Sequence, residues 1–463
     1  MIDRQELLEL AREFSLRPDV VEKDYALGWL LAGIGQQADI GRTWAFKGGT
    51  CLKKCFFETY RFSEDLDFTL LDADHLNEQF LSRVFGEIAE WIYEQSGLEL
   101  PKENLKFELY QNPRGKTSAL GRVGYRGPIA PRGDLPRIKL DLTNDEHVAL
   151  PPVQKKIHHA FSDFSADGFE ILCYPYEEVF AEKIRALSER ELPRDLYDVV
   201  HLYRHPEMRP DRETIFKILR EKCQFKNIPI PTFEALKKEP QRTELEQEWA
   251  NMLAHQLPAL PSFEQFWGEL PRIFEWLGGA AAPAPLQPIG ARADEDIRWS
   301  PPVMAQAWGM SVPLEVIRFA GANRLCVNLG YKNTKRIIEP YSLRQTKDGT
   351  LLLHAIRVDN GEHRSYKVDE IESAEVTQMV FTPTYAIELS PTGPIQAPLQ
   401  SRSASRTRRT GHTSSNRLRY IIKCAQCGKR FTRVKMDTKL NDHKDKNGYP
   451  CYGRYGHFVE TKY

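Results

Sequence analysis

The sequence predicts an α+β protein with three folded regions: a mixed helix and strand domain, a small β barrel and a metal-binding module. Over residues 1–275, segments with apolar residues at helical spacing alternate with short strand candidates. Two hairpin signals, Asp348-Gly349 and Asn360-Gly361, divide a later strand-rich stretch. A Cys-x2-Cys pair, Cys424 and Cys427, lies in a basic tail and is typical of metal sites.

Changes in composition set the boundaries between these regions in a chain of 463 residues. The run 278–289 is rich in Gly, Ala and Pro without any period and indicates a linker. The predicted regions are the mixed domain at 1–275, a linker at 276–312, the barrel at 313–388, a disordered basic linker at 389–417 and the metal-binding module at 418–463.

Charge is distributed unevenly along a chain whose formal net charge is zero. Residues 401–463 carry 16 Lys and Arg against 4 Asp and Glu, and the rest of the chain is correspondingly acidic. No stretch is long and apolar enough for a membrane span, and the N-terminus has acids where a targeting signal needs basic residues. We therefore expect a cytoplasmic protein without membrane contact, and the first five of its eight cysteines should be small buried apolar residues of a reducing compartment.

The elements of the first region follow from apolar spacing. Helices are predicted at 6–14, 20–31, 180–187 and 195–203, and strands at 43–47, 66–71 and 137–143. Between the first two strands, Gly48-Gly49 permits a tight turn, and Thr50 is predicted to cap a helix that runs through Phe57. Such a turn at a helix N-terminus presents free N–H groups to phosphate, although Gly-Gly before a helix is usually only a turn.

Carboxylates follow this turn at strand spacing. Period two places Asp65 and Asp67 on one face of their strand, where they repel each other unless solvent or a cation lies between them. Paired hard oxygen ligands suit Mg²⁺. Asp141 lies on the polar face of the strand at 137–143 and is expected to face the same cleft. Three acids beside a glycine turn are what two-metal nucleotidyl transfer requires, whereas an isolated acid of this kind is more often solvated.

A basic pair follows on the helix that begins near Pro175. Lys183 lies at the edge of that helix's apolar stripe with Arg190 beside it, so Lys183 needs a negative partner. A nucleotide phosphate and a neighbouring acid are equally suitable partners. Asp195 and Asp198 lie three residues apart on the next helix and are the acids that could pair with Lys183 or Arg190.

Together these residues resemble a known family. Gly48-Gly49-Thr50, Arg61-x-Ser63-x-Asp65-x-Asp67, the helix from Lys183 to Arg190 and Arg194-Asp195-x-x-Asp198 are similar to the four motifs of the AbiEii/MenA nucleotidyltransferase toxins of type IV toxin–antitoxin and abortive-infection systems. The resemblance implies a polymerase-β-like core with a helical C-terminal part and Mg²⁺-dependent transfer from a nucleoside triphosphate (NTP). The acceptor is a tRNA 3′ end in some members, and a partner antitoxin is expected.

The resemblance also implies roles for individual residues. Gly48, Gly49, Thr50, Arg61, Ser63, Lys183 and Arg190 would bind the nucleotide. Asp65 and Asp67 would hold the metal, and Asp198 is the family's last acidic position. Lys183 would contact the phosphates. The assignment of Asp141 to metal binding and catalysis rests on the general logic of the fold rather than on the four motifs.

The second region resembles the WYL domain, a small Sm- or SH3-like β barrel that senses ligands in bacterial defence proteins. The resemblance covers residues 336–371, with Leu351-Leu352-Leu353 at the position of the signature Trp-Tyr-Leu and Glu370 where the family tends to have Arg. Arg357, Arg364 and Lys367 are the candidate ligand contacts, although basic residues on an exposed strand are more often solvated.

The tail contains a candidate zinc site. Cys424 and Cys427 form its thiolate half, and Cys451 is a third ligand at suitable spacing. His443 is the preferred fourth ligand, and His457 is the alternative. Basic residues interleaved with aromatic ones around these ligands are typical of a surface that binds RNA. The surrounding residues are Lys429, Arg430, Arg433, Lys435, Lys439, Tyr449, Tyr452, Arg454 and Tyr455.

The leading hypothesis is an RNA-modifying nucleotidyltransferase that acts as a toxin or antiviral defence effector, with Mg²⁺, NTP and Zn²⁺ as its cofactors. Two alternatives remain open on the residues alone. One is a nucleic-acid-sensing or nucleotide-sensing regulator without catalysis. The other is a transferase that modifies protein side chains. The basic tail favours nucleic acid over protein as the acceptor.

Overall fold

The computed structural model describes most of the chain. The described residues are 1–129, 134–164, 167–205, 211–296, 298–299, 314–390, 419–433, 438–440, 443–445, 450–451 and 453–462. They form two compact units, Met1–Gln400 and Ser401–Tyr463, which are described separately. Nearly all of the predicted basic linker at 389–417 lies outside the described residues, as do Lys435, Tyr449 and Tyr452.

Helices make up much of the first unit. Their bounds are α1 Arg4–Glu13, α2 Pro18–Gln36, α3 Gly48–Cys51, α4 Glu78–Ser96, α5 Tyr176–Arg190, α6 Pro193–Tyr203, α7 Arg212–Lys226, α8 Phe233–Leu236, α9 Gln241–Leu253, α10 Phe263–Trp267, α11 Leu270–Leu277 and α12 Leu314–Ala322. The four helices predicted from apolar spacing correspond to α1, α2, α5 and α6. The predicted helices at 20–31 and 180–187 were too short because they covered only part of α2 and α5.

A mixed seven-stranded sheet organises the first unit. Its strands are β1 Trp44–Lys47, β2 Asp65–Leu70, β3 Leu105–Gln111, β4 Thr117–Gly124, β5 Arg137–Thr143, β6 Val153–Lys156 and β7 Glu170–Cys173. Their order is β3-β4-β5-β2-β1-β7-β6, in which β2 pairs parallel with β5 and antiparallel with β1. The three strands predicted from the sequence are therefore the neighbouring strands β1, β2 and β5 at the centre of the sheet.

The helix after the glycine turn differs from the prediction at both ends. It begins at Gly48 with Lys47 as its N-cap, because Gly48 adopts a φ of 83° and turns the strand directly into the helix. Thr50 therefore lies inside α3, and its hydroxyl donates a hydrogen bond to the Asp65 carbonyl at 2.5 Å. After Cys51 the helix widens into a π-helical turn, Leu52–Phe56, before Phe57 resumes an extended conformation.

A second, antiparallel sheet follows α12. Its strands are β8 Leu325–Tyr331, β9 Thr334–Gln345, β10 Leu351–Arg357, β11 His363–Lys367 and β12 Ile371–Val380, in the order β11-β10-β9-β8-β12. The predicted hairpins are present, with Gly349 and Gly361 at positive φ in the turns on either side of β10. Within residues 314–390 the outer strands β11 and β12 do not pair, so the predicted closed barrel is not found. The helix α12 packs on β8, β9 and β12 instead.

The second sheet and the first region share one hydrophobic core. Ile317 and Phe319 of α12 belong to the same buried cluster as Phe46 and Phe68 of the seven-stranded sheet. The segment predicted as a linker contributes as well, since Ile289 is buried and its carbonyl accepts a hydrogen bond from Arg344 at 2.8 Å. The residues from 278 to 288 are exposed. Regions that the composition separates are thus packed together within the first unit.

The second unit is a small β structure. Its strands are β13 Arg419–Cys424, β14 Arg430–Arg433, β15 His443–Lys444, β16 Pro450–Cys451 and β17 Gly456–Lys462. They form a three-stranded sheet in the order β14-β13-β17 and a two-stranded pair of β15 with β16. Its buried cluster consists of Ile422, Cys424, Leu440 and Cys451, so two of its four members are cysteines.

No helix among the described residues has the length and apolar character that a membrane span needs.

Candidate active site

A cavity of about 270 Å³ lies where α3 and α5 meet the ends of β1, β2 and β5. Most of the site residues predicted from the sequence line it. They are Gly48, Gly49, Arg61, Ser63, Asp65, Asp67, Asp141, Lys183 and Arg190. Two predicted residues, Thr50 and Asp198, lie outside the described lining of this cavity.

The glycine turn is packed too closely for any side chain. A Cβ atom at Gly48 would lie 2.2 Å from Oδ2 of Asp67, and one at Gly49 would lie 2.4 Å from Nη2 of Arg61. Gly48 also has a φ of 83°, which other residues rarely adopt. The start of α3 therefore approaches both the carboxylates and Arg61 with bare backbone.

The three predicted carboxylates lie on two adjacent parallel strands. Asp67 of β2 is in direct register with Asp141 of β5, and Asp65 stands two residues before Asp67 on the same face. Burial raises the pKa of Asp67, Lys47 opposes that shift, and the charge of Asp141 adds to it. Burial also raises the pKa of Asp141. A set of oxygen ligands whose negative charge is disfavoured by burial and mutual repulsion fits a divalent cation such as Mg²⁺.

Lys183 faces the cavity from α5 and is held from behind by two acids of α6. Its Nζ lies 3.1 Å from Oδ1 of Asp195 and 2.7 Å from Oδ2 of Asp198. Arg190 donates to both oxygens of Asp195, at 2.9 and 3.0 Å. Both cations thus pair with neighbouring acids, as one of the two sequence interpretations proposed, and both also line the cavity.

Asp198 is completely buried and acts as the hub of this network. It accepts two hydrogen bonds from Arg61 and one from the hydroxyl of Tyr60 at 2.5 Å. Burial opposes its charge, but Arg61 and Lys183 outweigh that effect and hold its pKa below the usual range. Asp198 is therefore an ionised positioning residue for Lys183 and Arg61.

Sequence reasoning missed several charged residues of the cavity. Lys47 ends β1 beside Asp67 and lies 3.5 Å from both Glu146 and Glu182. Burial opposes the charge of Lys47, but Glu182 and Glu146 raise its pKa above the usual range. A lysine directly before the glycine turn was a usable signal for Lys47. Glu146 comes from the loop after β5, where no pattern indicates it.

Arg185 and Glu189 line the same cavity from α5 and were also missed. Arg185 is buried, and its Nη1 donates a hydrogen bond to Glu189 one helical turn later. In the sequence this pair has the spacing of an ordinary surface ion pair on a helix, so nothing there marks it as part of a site.

The four predicted zinc ligands meet in the second unit. One atom each of Cys424, Cys427, His443 and Cys451 lie within 4.8 Å of one another. Cys424 Sγ is 3.7 Å from Cys451 Sγ, and Cys427 Sγ is 3.4 Å from Nε2 of His443. The backbone N–H of Cys427 lowers the pKa of the Cys424 thiol to about 6. Three thiols and an imidazole at this separation fit zinc.

The alternative fourth ligand, His457, lies elsewhere. It is exposed on β17, where it pairs in register with Lys423 of β13. The structure therefore brings His443 to the cysteines and leaves His457 apart from them.

The remaining cysteines are buried, as the sequence suggested. Sulfur atoms of Cys51, Cys55 and Cys173 lie within 4.8 Å of one another beneath α3.

The candidate ligand contacts of the second sheet are engaged by surface neighbours or exposed. Arg357 pairs with Asp359 and Arg364 with Glu362, while Lys367 is exposed. Glu370 accepts a hydrogen bond from Tyr331 and lies 2.9 Å from Lys332. The side chains of Leu351, Leu352 and Leu353 are buried, so the position of the signature tripeptide forms part of the core.

Comparison with known proteins gives one informative match. The family model for the nucleotidyl transferase AbiEii toxin of the type IV toxin–antitoxin system matches residues 29–270, which contain the whole cavity described above. No curated protein matches the chain.

Solved structures add little. The crystal structure of JHP933 from Helicobacter pylori is 16% identical, covers 57% of this chain and 93% of its own, and has a TM-score of 0.36. The proteasome accessory factor PafBC of Arthrobacter aurescens is 11% identical, covers 75% of this chain and 31% of its own, and has a TM-score of 0.15. Both scores are too low to support any inference about function.

Proposed function

Because the chain belongs to the AbiEii family of nucleotidyltransferase toxins of type IV toxin–antitoxin systems, we propose that it transfers a nucleoside monophosphate from an NTP to an RNA acceptor. The observation that carries this proposal is the convergence of Asp65, Asp67 and Asp141 on a cavity that also contains the glycine turn and Lys183. The family further implies a partner antitoxin.

The triphosphate would lie against the start of α3. Free N–H groups at Gly48 and Gly49 point toward an anion there, and the absence of side chains permits close approach. Lys183 and Arg190 supply positive charge from α5. Their pairing with Asp195 and Asp198 fixes both cations before the nucleotide arrives, so little order has to be created on binding.

Asp65, Asp67 and Asp141 are the residues that would hold Mg²⁺. When bound, Mg²⁺ neutralises the triphosphate and lowers the pKa of the attacking hydroxyl. Lys47 balances the same carboxylates from β1 and keeps Asp67 available in its charged form. Arg61 acts mainly through Asp198, because both its Nε and its Nη2 are committed to that carboxylate.

RNA is the favoured acceptor because of the tail. The last 63 residues carry 16 basic residues against 4 acidic ones, which suits a phosphate backbone better than a protein side chain. We assign the zinc module the role of gripping this acceptor, for which a tRNA 3′ end is the best candidate. The second sheet, WYL-like in sequence, would then sense a ligand or position the acceptor.

One experiment tests donor and acceptor together. The purified protein is incubated with each α-labelled NTP, Mg²⁺ and either total RNA or lysate protein. Label in RNA supports the proposal. Label in protein identifies a side-chain transferase, and nucleotide binding without any label identifies a sensor. A matched variant, Asp67→Asn, controls for contaminating transferases, because it removes one metal ligand and changes neither size nor the basic tail.

A further inference from the structure

Arg185 has a donor that nothing in the protein satisfies. Its side chain is buried, and its Nη1 donates to Oε2 of Glu189. Its Nε–H is buried as well but makes no hydrogen bond to any residue that the structure describes. A buried donor without an acceptor costs free energy, and this one belongs to a residue that lines the cavity. It is therefore suited to a ligand.

The position of Arg185 on α5 places it away from the phosphate end of the cavity. At 100° per residue, Lys183 and Arg185 lie about 160° apart around the helix axis. Lys183 and Arg190 occupy one edge of the cavity-facing arc, towards α6 and the glycine turn. Arg185 and Glu189 occupy the opposite edge, and the small Ala186 lies between the two edges.

This division matches the two ends of a nucleotide. With the triphosphate at α3 and Lys183, the ribose passes over Ala186 and the base reaches Arg185 and Glu189. We infer that Arg185 and Glu189 recognise the donor's nucleobase and select cytosine or guanine over adenine and uracil. This inference rests on the proposed function, because it assumes that the cavity holds an NTP.

The chemistry of a guanidinium gives the selectivity. With Nη1 committed to Glu189, the Nε–H and Nη2–H groups form a fork that needs two adjacent acceptors. Cytosine offers O2 and N3, and guanine offers O6 and N7. In uracil the N3–H donor separates the two carbonyls, and in adenine each ring acceptor stands beside the amino group.

Glu189 completes the recognition. Its carboxylate accepts from the amino group of cytosine or from the N1–H of guanine, next to the atoms that the fork contacts. Glu189 is exposed at its outer edge, so it reaches the base without being buried as an uncompensated charge. Arg185 also serves as a counter-charge, since it lowers the pKa of Glu146 and of Glu182. A purely structural counter-charge is the competing explanation for its burial.

Binding of the four NTPs to the full-length protein separates these explanations. Dissociation constants for CTP, GTP, ATP and UTP are measured with Mg²⁺ in the wild type and in Arg185→Lys. A bidentate contact predicts at least about tenfold tighter binding of CTP or GTP than of ATP and UTP. Lysine keeps the charge but loses the fork, so the variant should bind all four alike, with its affinity for ATP and UTP unchanged.

A second variant and a control complete the test. Glu189→Gln changes an exposed group, so it keeps the fold intact and should also reduce the preference. Arg220→Lys, an equivalent change at an exposed position of α7, should leave the preference as in the wild type. The inference is overturned by a wild-type preference for ATP or UTP, by equal binding of all four, or by an unchanged preference in Arg185→Lys.

Failure of the proposed function gives a different pattern. If CTP or GTP binds selectively but no label is transferred, the base contact stands and catalysis fails. If label is transferred equally from all four NTPs, the transferase stands and the base contact fails. If no NTP binds, both are excluded.

Discussion

The guanidinium of Arg61 and the carboxylate of Asp198 form a completely buried, two-pronged ion pair. Nε of Arg61 lies 2.7 Å from Oδ1 of Asp198, and Nη2 lies 2.8 Å from Oδ2. The pair joins the segment before β2 to α6, and Lys183 contacts the same Oδ2 at 2.7 Å. Two sequence motifs more than a hundred residues apart thus build one support behind the cavity.

Replacing Asp198 by Asn should therefore destabilise the protein as well as impair transfer. Asparagine keeps the size of the side chain but leaves two buried cations with too little negative charge. Breaking a buried pair of this kind costs about 3–5 kcal/mol. We expect a loss of this order in the free energy of unfolding, measured by urea denaturation.

The control is Glu94→Gln, which neutralises an exposed carboxylate on α4 and should leave the urea midpoint unchanged. An Asp198→Asn protein that is inactive but as stable as the wild type would show that Asp198 acts on the substrate directly rather than as a support.

Asp67→Asn should have the opposite effect on stability. Burial and the neighbouring Asp141 disfavour the charge of Asp67, so its removal costs the fold little or nothing. The same change removes a metal ligand. We expect the wild type to gain thermal stability on addition of Mg²⁺ and the variant to gain much less, together with loss of transfer to background.

Asp72→Asn provides the matched control, because Asp72 is an exposed carboxylate just beyond the end of β2. It should keep both the Mg²⁺ response and the activity. A full Mg²⁺ response in Asp67→Asn would remove Asp67 from the metal site.

Short-range patterns were sufficient to predict the strands that carry the carboxylates. Alternation along β2 and β5 placed Asp65, Asp67 and Asp141 on one side of the sheet, and the bounds of β5 agree with the structure residue for residue. The turn at Gly48-Gly49 was predictable because glycine has few other reasons to occur twice before a helix.

Features that depend on packing were beyond the sequence. Glu146 approaches Lys47 from a loop, and nothing local indicates that contact. The π-helical turn at Leu52–Phe56 reflects how α3 fits beneath the sheet rather than any residue preference. Closure of the second sheet failed for a similar reason. Hairpin signals predict neighbouring strands, whereas the position of α12 across one face depends on the first region.

Glu13 should make stability depend on pH through the junction of α1 and α12. Arg318 is completely buried between Glu58, whose Oε1 it contacts at 3.0 Å, and Glu315. Glu13 is a third carboxylate near this single guanidinium. Burial, and then the charge of Glu315, raise the pKa of Glu13 from 4.5 to about 7.

The sign follows from proton binding. Between pH 4.5 and about 7 the folded state holds a proton on Glu13 that the unfolded state lacks. The stabilisation is thus complete below pH 4.5 and is lost as the pH rises through about 7. Glu13→Gln is neutral throughout, so it should exceed the wild type by ~1 kcal/mol at alkaline pH, allowing for screening by solvent.

Urea denaturation across this pH range measures the difference, which should shrink towards zero as the pH falls. Glu9→Gln, at an exposed position on the same helix, should show no such trend. A constant difference at all pH values would mean that Glu13 stays charged in the folded protein.

Metal removal should affect the second unit. Its buried cluster contains only Ile422 and Leu440 besides two of the cysteines, which is too little apolar surface to hold a fold of this size without a metal. We expect about one Zn²⁺ per chain by elemental analysis, since the four ligands make one tetrahedral site. His443→Ala should lose the zinc, because its Nε2 lies 3.4 Å from Cys427 Sγ. His457→Ala should keep the zinc, because His457 lies on the exposed side of β17 and serves as the matched control. Chelation should then expose the strands of this unit to proteolysis while NTP binding by the first unit persists. Retention of zinc in His443→Ala with loss in His457→Ala would exchange the two assignments, and a protein purified without zinc would exclude the site.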